Sequence, residues 1–147
     1  MQIEIDYRKP LKLLMFPDPI LTMKCATVEN FDEDLKYFCT QMFLFIKSGA
    51  LNWGRPVGLA APQVGLPIRV FIAEDGLYIN PEITWETKAP KNTEQEGCYS
   101  LGPDNLFEAE RSTSIRLKWQ DHAGKWCEGR FNGFHARVIQ HELEHLN

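Results

Sequence analysis

From Asp32 to Lys47 the apolar side chains Leu35, Phe38, Cys39, Met42 and Ile46 recur at three- and four-residue intervals, the spacing of one helical face. Asp32, Glu33 and Asp34 stand where a helix macrodipole favours negative charge, so the stretch reads as an amphipathic helix. Gly49, Gly54 and Pro56 break that period, and 50–55 reads as a surface loop. Farther on the period changes to that of strands. Ile68 to Ala73 is a short β-branched run, Asp75-Gly76 is a turn dipeptide and Leu77 to Ile79 is a second run, which together predict a hairpin. A second hairpin is predicted where Ile115, Leu117 and Trp119 alternate with Ser114, Arg116 and Lys118, before Asp121, Gly124 and the run Trp126 to Phe131. From Phe134 to Asn147 the helical period returns. Phe134, Val138, His141 and His145 share one face and Ile139, Leu143 and Leu146 another, as expected of a central helix, with Asn132 as its N-cap.

Composition narrows this picture. With 147 residues, 44% hydrophobic and 24% charged, the chain is expected to form one domain, 1–147, around a single core. Its apolar runs all fall short of the roughly 20 residues a membrane span needs. The N-terminus alternates Gln2, Ile3, Glu4, Ile5, Asp6 instead of following the basic-then-apolar order of a signal peptide, so a cytoplasmic protein is expected. The net charge is -4, and Lys and Arg are scattered along the chain. This gives no electrostatic footprint for nucleic acid or anionic lipid, so direct nucleic-acid and membrane binding are not expected and small or peptidic partners are. Cysteines 25, 39, 98 and 127 form no C-x-x-C pair and read as reduced thiols, with two disulfides the lesser alternative. Internal repeats and low-complexity tracts are absent from the sequence.

The chemistry concentrates at the last helix. His141-Glu142-Leu143-Glu144-His145 is an H-E-x-x-H motif, which sets two imidazoles one turn apart on the same side, able to share a metal ion, with a carboxylate beside them. The alternative is a polar helix end. A catalytic site of this kind takes three protein ligands and keeps a fourth position for water. Only Leu146 and Asn147 follow His145, so the third ligand is expected upstream. His135 lies six residues before His141, which turns it off the metal face, and His122 falls in a hairpin turn. Cys98 is the better candidate, since Gly97 lets backbone approach a bound group and a thiolate suits zinc or ferrous iron. An inert buried thiol is its bland reading, and the preferred one for Cys25, Cys39 and Cys127. A third segment, Val57-Gly58-Leu59-Ala60-Ala61-Pro62-Gln63-Val64-Gly65, has small residues suited to packing beside a ligand and an amide donor in Gln63. Taken alone, it reads as a compact turn leading into a strand.

Taken in order, these three segments resemble the signature motifs of peptide deformylases, G-x-G-φ-A-A-x-Q, E-G-C-φ-S and H-E-x-x-H, where φ is apolar. The likeness continues through Leu77-Tyr78-Ile79-Asn80-Pro81-Glu82, similar to the family's strand and turn, and covers nearly the whole chain. It implies an α+β fold with antiparallel sheets packed around a central C-terminal helix. It also implies a metal-dependent hydrolase that removes the formyl group from N-formyl-methionyl nascent chains and releases formate. By the same resemblance Cys98, His141 and His145 hold one divalent ion, natively Fe2+, with Zn2+, Ni2+ or Co2+ able to replace it. Glu142 is then the general base, while the Gln63 amide and the Tyr99 backbone N–H hold the oxyanion. Val57, Gly58, Phe134 and Val138 are the expected substrate pocket.

Three positions depart from the pattern. Pro56 replaces the first glycine, Tyr99 the usual leucine, and Glu144 the common aspartate. A Glu96–Arg111 pair is expected to brace the cysteine loop, with a surface salt bridge as the alternative. The ending soon after His145 is similar to short bacteriophage members, so a monomer in the bacterial cytoplasm, phage-encoded and working on chains at the ribosome, is the expected setting. A peptidase or amidase with the same metal centre, and a non-catalytic binding relative, are the competing readings.

Overall fold

The computed structural model describes residues 5–48 and 57–147; the expected loop at 50–55 and the altered Pro56 lie outside the described residues. Helix α1, Glu33–Lys47, opens where Asp32 accepts a hydrogen bond from the Leu35 backbone N–H at 3.0 Å. Its buried side chains are Leu35, Phe38, Cys39, Met42 and Ile46, the stripe read from the sequence. Strand β1, Gly58–Ala60, leads through a 3-10 turn, Ala61–Val64, to β2, Val70–Ala73, and β3, Gly76–Glu86. Then follow β4, Asn92–Glu96, a 3-10 turn at Tyr99–Leu101, β5, Phe107–Arg111, β6, Ser114–Gln120, β7, Trp126–Asn132, and α2, Gly133–Leu146.

Five strands form one antiparallel sheet in the order β1-β2-β3-β6-β7, while β4 and β5 pair separately. The β2 strand is buried along its whole length because each face is covered. On one side the α1 stripe packs against Leu59, Val70, Ile72 and Ile79. On the other, Phe71, Tyr78, Ile115 and Leu117 meet Ala136, Val138, Ile139, Leu143 and Leu146 of α2. The metal-motif helix therefore sits against the middle of the sheet, and its apolar face fixes where the histidines point.

Several local expectations shift. The first hairpin turns at Glu74-Asp75, with Glu74 at φ 53°, because Gly76 already pairs with Ala73. Strand β3 does not stop at Asn80-Pro81 but bulges there and runs on to Glu86. Proline in an inner strand is tolerated at such a bulge, where no ladder donor is needed. Asn80, at φ 51°, holds the bulge: its side chain exchanges two hydrogen bonds of 2.9 Å with the Val28 backbone and donates to Gln120 Oε1 at 2.7 Å. At the N-cap position of α2, Asn132 does not cap the helix, because its Oδ1 accepts from Ser114 Oγ at 2.6 Å. Cys25 and Cys39 are buried free thiols, but Cys127 is half-buried, since β7 is an edge strand.

Candidate metal centre

Cys98 reaches the site because it ends the loop after β4, just before the Tyr99–Leu101 turn, while His141 and His145 project from adjacent turns of α2. One ligand atom from each of the three lies within 4.8 Å of the others, and Cys98 Sγ stands 3.6 Å from His145 Nε2. Burial and the neighbouring His141 push the His145 imidazolium down to about 4, so this ring is neutral, the form that ligates. Burial pushes the Cys98 thiol up, aided by the Glu142 charge. A coordinated cation reverses that tendency, since it holds the thiolate directly.

Glu142 lies beside the three. Its carboxyl is buried, its Oε1 has no hydrogen-bond partner, and burial followed by the charge of Glu96 pushes its pKa up to about 8. The other oxygen lies against Gly58, where an added Cβ would sit 2.6 Å from it. Gln63 is held on the 3-10 turn after β1. Its Oε1 accepts from the Ala60 N–H at 3.0 Å, and its Nε2 donates to Ser100 Oγ at 3.2 Å and towards Cys98 Sγ at 3.6 Å. Backbone bonds from Leu14 to Gln63 and from Phe16 to Ser100 strap this corner from outside. The structure thus brings Gln63, Cys98, Tyr99, His141 and Glu142 onto one pocket of about 240 Å³, together with Val57, Gly58, Phe134 and Val138. Phe134, 60% exposed, stands at the rim, and Val138 is buried in the wall. His135 packs on Phe131 and faces Glu74, away from the centre.

Arg137, which the sequence did not single out, completes the site through Glu96 of the cysteine motif. Glu96 accepts from His141 Nδ1 at 2.9 Å, from Arg111 Nη2 at 2.7 Å and from Arg137 Nη1 at 2.6 Å, all largely buried. The two guanidinium groups and the imidazole hold its carboxyl down at about 2 despite burial. The Glu96–Arg111 pair is therefore an interior contact, and Arg111 also grips Glu144. Arg137 further joins α2 to the small sheet by donating to Asn92 O at 2.7 Å and Ala109 O at 3.1 Å. Its place four residues before His141, on the same helix face, was the available signal.

A thiol, two imidazoles and a carboxylate fixing one imidazole by its far nitrogen form a donor set suited to a divalent transition metal. The unpaired, buried Glu142 oxygen is the kind of group such a centre uses rather than one a core would retain. Among the described residues no helix is long and apolar enough to cross a membrane.

Comparison with known proteins points the same way. The family described as Polypeptide deformylase matches residues 10–147. A peptide deformylase of Thermotoga maritima is 38% identical over 142 residues, spanning 92% of this chain and 81% of the relative. One from Brucella suis is 34% identical over 144 residues, spanning 92% and 78%. The crystal structure of the Thermotoga maritima enzyme superposes with a TM-score of 0.81 at 38% identity, covering 95% of this chain and 93% of that one. An inhibitor complex of the Plasmodium falciparum enzyme gives 0.84 at 32%, covering 92% and 83%. The antiparallel sheets, the C-terminal helix that carries the histidines and this agreement along nearly all of the sequence make the chain a member of the peptide deformylase family.

Proposed function

We propose that this chain is a deformylase of nascent polypeptides, hydrolysing the N-formyl group of formyl-methionyl N-termini to leave a free amine and formate. Residues 1–147 act in this reading as one catalytic domain. The observation that carries it is the convergence of the Cys98 thiol and two imidazoles beside the unpaired carboxyl of Glu142, with Cys98, His141 and Glu142 lining one pocket and His145 behind them.

Members of this family depend on a metal. Cys98, His141 and His145 would hold it here, and when bound it supplies the Lewis-acid charge that makes water nucleophilic at neutral pH. Ferrous iron is the proposed native ion, since a thiolate with two imidazoles accepts it as well as zinc, nickel or cobalt. Glu142 takes the proton of the attacking water and returns it to the leaving amine. Burial favours the protonated carboxyl that returns the proton, and the bound cation would favour the carboxylate that takes it. The Gln63 amide and the Tyr99 N–H hold the oxygen that becomes negative, and Gln63 is oriented for this by its bonds to Ala60 and Ser100. Val57, Phe134 and Val138 give the methionine side chain an apolar wall, and Gly58 leaves space for the carboxylate of Glu142. Glu96 fixes the His141 ring by accepting from its Nδ1.

The test is Glu142→Ala, assayed anaerobically for metal content and for formate release from formyl-Met-Ala-Ser. Metal content should stay at the parent level while turnover falls a hundredfold or more, as expected for loss of a general base. Equal turnover would remove Glu142 from the mechanism. Cleavage of internal peptide bonds without deformylation by the parent would replace the proposed activity with peptidase chemistry.

A further inference from the structure

The outward face of the sheet beyond α1 gathers charges and aromatic rings that are far apart in sequence. In the β6–β7 pairing Arg116 lies directly opposite Arg130, Lys118 opposite Glu128 and Gln120 opposite Trp126, while Trp85 of β3 is partnered with Arg116. All of these side chains share one face, since residues paired across an antiparallel ladder point to the same side. Trp85 is 40% exposed and Trp126 54%, and each ring carries a cation: Arg130 lies 5.2 Å above Trp85 and Lys118 5.2 Å above Trp126.

Charge on this face is unevenly matched. Glu82 approaches Lys118 at 3.4 Å, while Glu128, opposite the same lysine in the ladder, makes no ion pair with it. Arg130 donates only to the neutral Ser114 hydroxyl, at 3.1 Å, and among the described residues Arg116 has no side-chain partner. Like charges directly opposite in a ladder are unfavourable, and a groove of about 380 Å³, lined by Thr84, Leu117, Gly129, these two arginines and the single carboxylate of Glu128, opens beside them. An oxyanion between the guanidinium groups would relieve that repulsion with charge-assisted hydrogen bonds. The flanking indoles are four residues apart along the β6 ladder, about 13 Å at the usual rise per residue. Paired arginines for phosphate, between aromatic rings for bases, are what a single strand of nucleic acid requires of a sheet surface.

We propose that this face docks single-stranded nucleic acid, with phosphates on Arg116 and Arg130 and bases against Trp85 and Trp126. The linear sequence hides the patch because the scattered basic residues meet only through strand register. The overall charge of -4 makes the contact weak, and two phosphate contacts make it moderately dependent on salt.

The experiment is fluorescence anisotropy of an end-labelled oligouridylate of about twelve nucleotides, titrated with the full chain at about 50 and about 200 mM salt. Binding is expected at the lower salt and should weaken severalfold or more at the higher. Replacing both arginines (Arg116→Gln with Arg130→Gln) should weaken it tenfold or more, and Trp85→Ala at least fivefold, with formyl-peptide turnover unchanged in each variant. Circular dichroism of the variants separates loss of contact from loss of fold, and Arg116→Lys alone, which keeps the charge, should retain most of the binding. The proposal is overturned by no anisotropy change up to about 100 μM chain at the lower salt. It is equally overturned by binding indifferent to the arginines. Displacement by millimolar inorganic phosphate at constant ionic strength would reduce the face to a simple anion site, and a dimer abolished by Trp85→Ala would assign it to a second copy of the chain.

Discussion

Gly58 is constrained by a side chain rather than by its own backbone. A Cβ built there would stand 2.6 Å from Glu142 Oε2 and 2.9 Å from its Cγ. The buried carboxyl can give way only into the pocket, towards Cys98 and Gln63. Gly58→Ala should therefore displace the proposed base by a fraction of an ångström or more and lower formate release on the order of a hundredfold. Metal content should not change, because the ligands lie elsewhere. Turnover within twofold of the parent, with the fold intact, would mean that Glu142 has slack. The sequence suggested close packing beside a ligand at this segment, which identified the site but not the contact. Position 144 behaves similarly: its extra methylene was legible, while its partner Arg111, 33 residues away, appears only once β5 and α2 are side by side.

At the scale of elements, what could be read was whatever carries a period. The α1 stripe, the β6–β7 alternation and the two-faced α2 follow from burying apolar side chains at intervals of 3.6 and 2. The β4–β5 pair has no such stripe, as Asn92 to Gln95 are exposed on both faces and Phe107 and Ala109 are only half-buried. Ion pairs anchor it instead, through Glu96 to Arg111, a pair expected from the sequence, and to His141 and Arg137, which only the packing of β4 on α2 brings together. The same reasoning says what Glu96 does for the molecule. Glu96→Gln leaves two buried guanidinium groups short of one carboxylate and frees the His141 ring to rotate. Stability should fall by about 3 kcal/mol, the usual result of breaking a buried pair. Metal affinity should fall roughly 10- to 100-fold, as for other carboxylates that orient a ligating histidine. Urea unfolding and titration against a competing chelator measure the two separately. An unchanged metal affinity in a destabilised variant would confine Glu96 to holding β4 on the helix.

For the whole molecule, the thiols outside the metal centre set a limit at alkaline pH. Burial pushes Cys39, beneath α1, up to about 12, and Cys25, beside the end of α2, up to about 11. In the unfolded chain both would titrate near 8.5. From about pH 9 to 11 the folded protein keeps protons that the unfolded chain has lost, so raising the pH favours unfolding. Below pH 8 the two states hold the same thiol protons and this contribution vanishes. The slope is at most about 1.4 kcal/mol per pH unit for each thiol, or roughly 3 kcal/mol per unit for the pair. The thiols therefore leave the urea midpoint unaffected between pH 7 and 8, where the proton retained by Glu142 sets the trend, and lower it steadily from pH 9 to 10. Cys39→Ala should lower the midpoint at neutral pH, since it leaves a cavity in the α1 core, yet roughly halve the alkaline slope. Native labelling with iodoacetamide at pH 8 supplies the kinetic counterpart, with half-buried Cys127 reacting first and Cys39 reacting only on unfolding. A midpoint constant to pH 10, or a Cys39→Ala slope equal to the parent's, would show that both sulfurs ionise in place and that the interior on either side of β2 is more open than its packing implies.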